Sequence, residues 1–93
     1  YKKSMQYEWD EAKRHVNVEK HGEDFADADR LDWSRAHIEP DTRHDYGEPR
    51  YNALVPRDDA RLMCLVFTPR GRRMRIISYR KANSRERKNY ETL

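Results

Sequence analysis

The sequence predicts an α+β fold: a small antiparallel sheet of about four to five strands, with two helices near the N-terminus and one at the C-terminus. Three observations carry this. Residues 50–79 hold three strand-like runs joined by short turns bearing Pro, Asp and Gly, the pattern of an antiparallel meander. Residues 10–31 carry helix-spaced patterns with start and stop residues at their ends. Ser84 precedes a charged segment suited to a last helix. A chain of 93 residues makes one domain with one modest core.

Each element has a local cause. Met5 to Trp9 alternates loosely and is rich in aromatics, which suits a short first strand. Met5 is taken as the natural start, so the domain spans 5–93 and residues 1–4 are an appended, non-native remnant. Asp10 caps a helix that runs to His21, Glu11 complements its dipole, and Gly22 ends it. Ala12, Val16 and His15 are its expected inward residues; Lys13, Asn17, Lys20 and His21 form a polar stripe. Phe25, Ala28 and Leu31 fit a short second helix. Trp33 to Pro40 reads as a strand and Asp41 to Pro49 as a loop. Strands follow at Arg50–Val55, Arg61–Phe67 and Arg72–Tyr79, with turns at Pro56–Ala60 and Pro69–Gly71. Arg61–Phe67 is apolar without alternation, as a central strand buried on both faces would be. Cys64 lies in that run and reads as a packed small hydrophobe. As the only cysteine it excludes an intrachain disulfide and points to a cytoplasmic home. No apolar stretch approaches the roughly 20 residues of a spanning helix, so no membrane partner is expected.

Charge is unevenly spread. Residues 1–48 hold 8 basic and 13 acidic residues, and residues 49–93 hold 12 basic and 4 acidic, so the overall +3 hides a strong dipole. Such asymmetry hints at nucleic acid or an acidic partner. The basic half peaks at Arg70–Lys81. Strand alternation there would send Met74, Ile76 and Ser78 to one face and Arg73, Arg75, Ile77, Tyr79 and Lys81 to the other.

The chain lacks metal-ligand spacing and a glycine-rich phosphate loop, so no metal and no cofactor is expected. What remains is chemistry needing only cations and proton carriers. RNA cleavage by its own 2′-hydroxyl is such a reaction: one oxygen loses a proton, another gains one, and guanidinium groups steady the phosphorane. Arg70, Arg73, Arg75 and Arg80 are candidates for the charge; His21, His44, Glu48, Tyr79 and Tyr90 are candidates for the protons. Each also has a plainer reading. Basic strands are often solvated faces, His21 beside Gly22 suits a helix C-terminus, and Tyr79 and Tyr90 suit the core's edge.

Several motifs together resemble the BrnT toxin family. They are Tyr7-Glu8-Trp9-Asp10-Glu11-Ala12-Lys13, Asn17, Lys20-His21-Gly22 with Phe25, then Glu48-Pro49-Arg50, Arg61-Leu62 and Val66-Phe67-Thr68. Arg75-Ile76-Ile77-Ser78-Tyr79-Arg80-Lys81-Ala82, Glu86-Arg87 and Tyr90-Glu91 complete the series, which covers about residues 5–91. Tyr79 departs from the small residue usual after the serine, and residues 33–47 carry no family motif. The resemblance implies a bacterial type II toxin, RelE-like in fold, that inhibits translation by cleaving RNA; that the cleavage needs no metal is the expectation from the residues above. It implies a BrnA-type antitoxin with a ribbon-helix-helix DNA-binding segment, a possible toxin–antitoxin heterotetramer, and operator DNA reached only through the antitoxin. On this footing the candidate catalytic residues are His21, Arg70, Arg75, Tyr79 and Arg80. The candidate RNA-binding residues are Lys13, Lys20, Arg50, Arg73 and Lys81. The alternatives are a nucleic-acid-binding domain without catalysis and a module that only docks its antitoxin.

Overall fold

The computed structural model describes residues 6–93; Met5 and the remnant assigned to residues 1–4 lie outside the described residues. The order of elements is β1 (Tyr7–Glu8), α1 (Glu11–His21), β2 (His37–Pro40), β3 (Tyr51–Pro56), β4 (Leu62–Arg70), β5 (Arg73–Lys81) and α2 (Ser84–Glu91), with 3₁₀ turns at Phe25–Arg30 and Trp33–Arg35. The strands form one sheet in the order β1-β5-β4-β3-β2. Strands β2 to β5 pair antiparallel, but β1 lies parallel to β5, so the sheet is mixed rather than purely antiparallel. A parallel pair needs a long crossover, and everything between β1 and β5 supplies it.

The sheet has one dry face. Tyr51, Ala53 and Val55 of β3, Met63, Leu65 and Phe67 of β4, and Met74, Ile76 and Tyr79 of β5 meet Phe25, Ala28 and Leu31. Those last three do not make the expected α-helix. They lie in and just beyond a six-residue 3₁₀ turn, whose period of three puts Phe25 and Ala28 on one line. Nor does a strand start at Trp33: residues 33–35 turn, and pairing begins at His37. The Trp33 indole donates to the Tyr7 hydroxyl (2.7 Å), which donates to the Ala28 carbonyl (3.1 Å), so the turn closes over the core.

Two further expectations are corrected. The α1 caps are as read: Asp10 accepts from the Ala12 amide at 2.8 Å, and Gly22 takes a left-handed φ of 71°. Its inward residues are not, for Val16 is 61 % exposed and His15 and Ala12 are also exposed. The helix lies along the outer edge of β5, where its buried contact is a polar one to the backbone. Asn17 is its one buried residue. Its Nδ2 donates to the carbonyls of Tyr79 (2.7 Å) and Glu23 (2.9 Å), and its Oδ1 accepts from the Tyr79 amide (3.1 Å). At the C-terminus Asn83, not Ser84, caps α2, and Glu86 completes a capping box.

The alternation of β5 breaks at a bulge. Phe67 faces Ile76 and Val66 faces Ser78, which leaves Ile77 as an extra residue. Beyond it every side chain changes face. Tyr79 enters the core at 0 % exposure and Lys81 follows it, while Ser78 and Arg80 turn to the opposite, open face. Among the described residues, no helix is long and apolar enough to cross a membrane.

Asn17→Ala would leave both backbone groups of Tyr79 without Asn17's amide, in a buried place. We expect it to lower unfolding free energy by about 2–4 kcal/mol in urea titrations. Val16→Ala should stay within about 0.5 kcal/mol of wild type.

Candidate active site

The open face of the sheet is built from cross-strand rows. His37, Leu54, Cys64 and Arg80 align in one row; Glu39, Asn52, Val66 and Ser78 align in the next. Period-two alternation places them together, because each strand contributes every second residue. The end of α1 adds Lys20 and His21, α2 adds Glu86 and Asn89, and the β2–β3 loop adds Arg43. Together they line a trough of about 470 Å³.

One end of the trough brings an imidazole next to charged groups. Arg80 is gripped by Glu86 through two hydrogen bonds of 2.7 and 2.8 Å, and it also donates to the Lys81 carbonyl at 3.2 Å. The pair holds Glu86 below the usual carboxylate range and pushes Arg80 up, so both stay charged at neutral pH. His21 sits beside them. Burial, then the positive charges of Lys20 and Arg80, hold its imidazole below its ordinary value of 6.5. At pH 7 it is therefore a neutral base next to cations. Cys64 lies under Arg80, and burial raises its thiol, so it is a packed residue and not a nucleophile.

The other end carries a second polar group. His37 contacts Glu39 at 2.9 Å, and Arg43 forks onto Asp41, whose carboxyl it holds down to about 2. The positive charge of Arg43 still reaches Arg80. Three strand spacings of about 4.8 Å separate the backbones of His37 and Arg80 by roughly 14 Å across the row.

The sequence-based candidates separate on this map. His21, Lys20 and Arg80 come together, and Lys13 stands on the next turns of α1. Arg75 shares the open face but lies outside the trough and is paired with Glu8 at 2.8 Å. Arg70 and Arg50 are drawn to Glu48 at the hairpin end, at 3.2 and 3.7 Å. Arg73 is exposed at the hairpin. Lys81 faces the core side and reaches Glu23 at 3.3 Å. Tyr79 is a correction: burial pushes its hydroxyl's pKa up, and it lies 3.5 Å from Arg57 under the sheet, so it cannot touch RNA. Of the other proton-carrier candidates, Tyr90 donates to the Arg35 carbonyl at 2.6 Å and His44 stacks edge-on to Tyr46. Glu86, His37, Glu39 and Asn52 were not singled out from sequence as site residues. The His-x-Glu spacing of His37 and Glu39 on a strand was the available signal.

A roomier cleft, about 760 Å³, lies between the 3₁₀ turns, the β3–β4 turn and α2. It is lined by mixed charges such as Arg30 and Asp58, bonded at 2.8 Å, and holds no imidazole. The trough, not this cleft, has the arrangement for proton transfer.

Comparison with known proteins identifies the family. A family model described as the ribonuclease toxin BrnT of type II toxin–antitoxin systems matches residues 9–86. Among solved structures, the crystal structure of the Brucella abortus ribonuclease toxin BrnT is similar, with a TM-score of 0.67 and 30% identity. The match covers 87% of this chain and 100% of that one. Comparison with curated proteins gives no match.

The lowered pKa of His21 can be read by NMR titration. We expect a value below 6.5 that rises when Lys20→Gln or Arg80→Gln removes a neighbouring cation. The folded state binds this proton less readily than the unfolded chain. Its contribution to stability is thus complete above pH 6.5 and is lost as pH falls through the folded-state value.

Proposed function

The chain belongs to the BrnT family of ribonuclease toxins of type II toxin–antitoxin systems, and from this we propose that it cleaves RNA in the trough without a metal ion. The observation that carries the reading is the meeting of a neutral His21 with Lys20 and Arg80 at one end of the open face. His21 takes the proton of a ribose 2′-hydroxyl. The 2′-oxygen attacks the adjacent phosphorus, and the bond from phosphorus to the 5′-oxygen breaks. The extra negative charge of the phosphorane falls between Arg80 and Lys20. Arg80 is already oriented by Glu86, so it need not reorganise during the reaction. The leaving 5′-oxygen takes a proton from Lys20, because a guanidinium does not give one up. The products are a 2′,3′-cyclic phosphate and a 5′-hydroxyl. Arg75, Arg70, Arg50 and Arg73 contact the strand beyond the cut, as Lys13 does on the other side.

In the cell this reading has the toxin inhibiting translation in the cytoplasm. The family implies an antitoxin partner. We propose that it is of BrnA type, covers the open face, brings the pair to operator DNA, and assembles with the toxin as a heterotetramer. A RelE-like ancestry of the sheet belongs to the same proposal.

A second reading has one observation in its favour. Arg70, Arg75 and Arg80 each hold a carboxylate of this chain, Glu48, Glu8 and Glu86, at 2.7–3.2 Å. A face whose charges are already matched suits a docking module without catalysis.

Labelled RNA incubated with the protein in EDTA decides between them. Cleavage with cyclic-phosphate ends is expected, lowered about 10²-fold or more by His21→Ala or Arg80→Ala with folding intact. Lys81→Ala, on the other face, should cleave at nearly the wild-type rate. RNA that stays intact after long incubation would remove the nuclease reading and leave a module that binds nucleic acid or docks its antitoxin without catalysis.

A further inference from the structure

The trough opens sideways onto a second hollow of about 310 Å³, between α1 and β5. Its walls are mostly apolar: Ala12, Val16 and Ile77. Lys13 and Lys20 stand at its rim, and Lys20, His21 and Ser78 are shared with the trough.

This apolar wall does not serve the core. Val16 is 61 % exposed on a helix that is anchored by Asn17 instead. Ile77 is the extra residue of the bulge, half-buried and outside the core cluster. Beside them, neither lysine has an ion-pair partner among the described residues, whereas the guanidinium groups of Arg70, Arg75 and Arg80 are paired. Aliphatic walls next to unmatched ammonium groups fit a ligand with a flat apolar face and an anion attached to it. A nucleotide has that form.

We propose that this hollow seats the nucleobase next to the scissile linkage, its ring against Val16 and Ile77 and its phosphate toward Lys13 and Lys20. This rests on the trough being the site of RNA cleavage. Size favours the assignment, since the hollow lies at the small end of ligand pockets, roughly 300–1,000 Å³. A partner helix, about 10–12 Å across with its side chains, would have to lie over it rather than in it. Continuity also favours it: a base lodged there leaves its own ribose-phosphate beside His21. Asn17 is spent on Tyr79 and Glu23, so hydrogen bonds to the base would come from Ser78, His21 or the two lysines at the edge. The ring itself is held by apolar contact.

The test uses a 2′-O-methyl trinucleotide, which lacks the attacking hydroxyl, and the same trinucleotide with one abasic sugar. Both are titrated into wild type and Val16→Ser by NMR, with unmodified RNA assayed for cleavage in parallel. Val16 is exposed, so the variant should fold; Ile77→Ala provides a second. Resonances of Val16 and Ile77 should move, and the variant should bind the intact trinucleotide about tenfold more weakly. With the abasic sugar at the seated position, wild type and variant should bind alike. RNA cleaved normally while these resonances stay still and affinities are unchanged would overturn the subsite and leave the nuclease reading intact. Shifted resonances and weakened binding without any cleavage would keep the subsite and remove the nuclease reading. If an acidic amphipathic peptide moves these resonances and the trinucleotide does not, the hollow belongs to a protein partner and the proposal fails.

Discussion

The primary amide of Asn17 holds the helix α1 and the edge of β5 together. Strand β1 covers only two residues of β5, at Met74 and Arg75. Further along, the edge of β5 has no neighbouring strand among the described residues, and Asn17 takes both backbone groups of Tyr79 as a strand would. A side-chain amide can do this because it carries a donor and an acceptor in one plane, as a peptide does. The same amide reaches Glu23, just after Gly22, and so fixes the end of α1 against the sheet. His21 and Lys20 owe their position over the trough to this attachment more than to apolar packing.

A buried ionic group supports the same region from below. Arg57 bonds Glu23 and Asp59, each at 2.9 Å, and lies 3.5 Å from the Tyr79 hydroxyl. Both Arg57 and Glu23 are almost wholly buried, and each has a second partner, Asp59 for Arg57 and Lys81 for Glu23, so the buried charges are matched as a group. Burial of Tyr79 thus links the two faces. Its ring and hydroxyl belong to the core, and its backbone belongs to the helix that carries the candidate base.

The alternation of β5 was legible as a strand but gave the wrong faces after Ile77. A bulge has no clear signature in a run such as Ile76-Ile77-Ser78, because it depends on what β4 offers opposite. One skipped residue exchanged Tyr79 for Arg80 on the open face. The inward side of α1 was misread for a related reason. Val16 has the chemistry of a core residue, but the helix crosses a sheet edge, where Asn17 is the useful side chain. His37 and Glu39 show the opposite limit. Their spacing is plain in the chain, yet their places beside Leu54 and Asn52 arise only from pairing between distant segments.

Local chemistry determined what this sequence could state by itself: the caps of α1, the strands of the meander, the basic C-terminal half and the motifs that mark its family. These depend on neighbours within a few positions, where backbone preference and side-chain spacing act directly. The tertiary structure alone decided which cations converge, which are matched by carboxylates of the same chain, and which way β5 faces beyond its bulge. Those outcomes depend on the register between strands and on helix-to-edge contact, and a charge takes its meaning from whatever folds next to it.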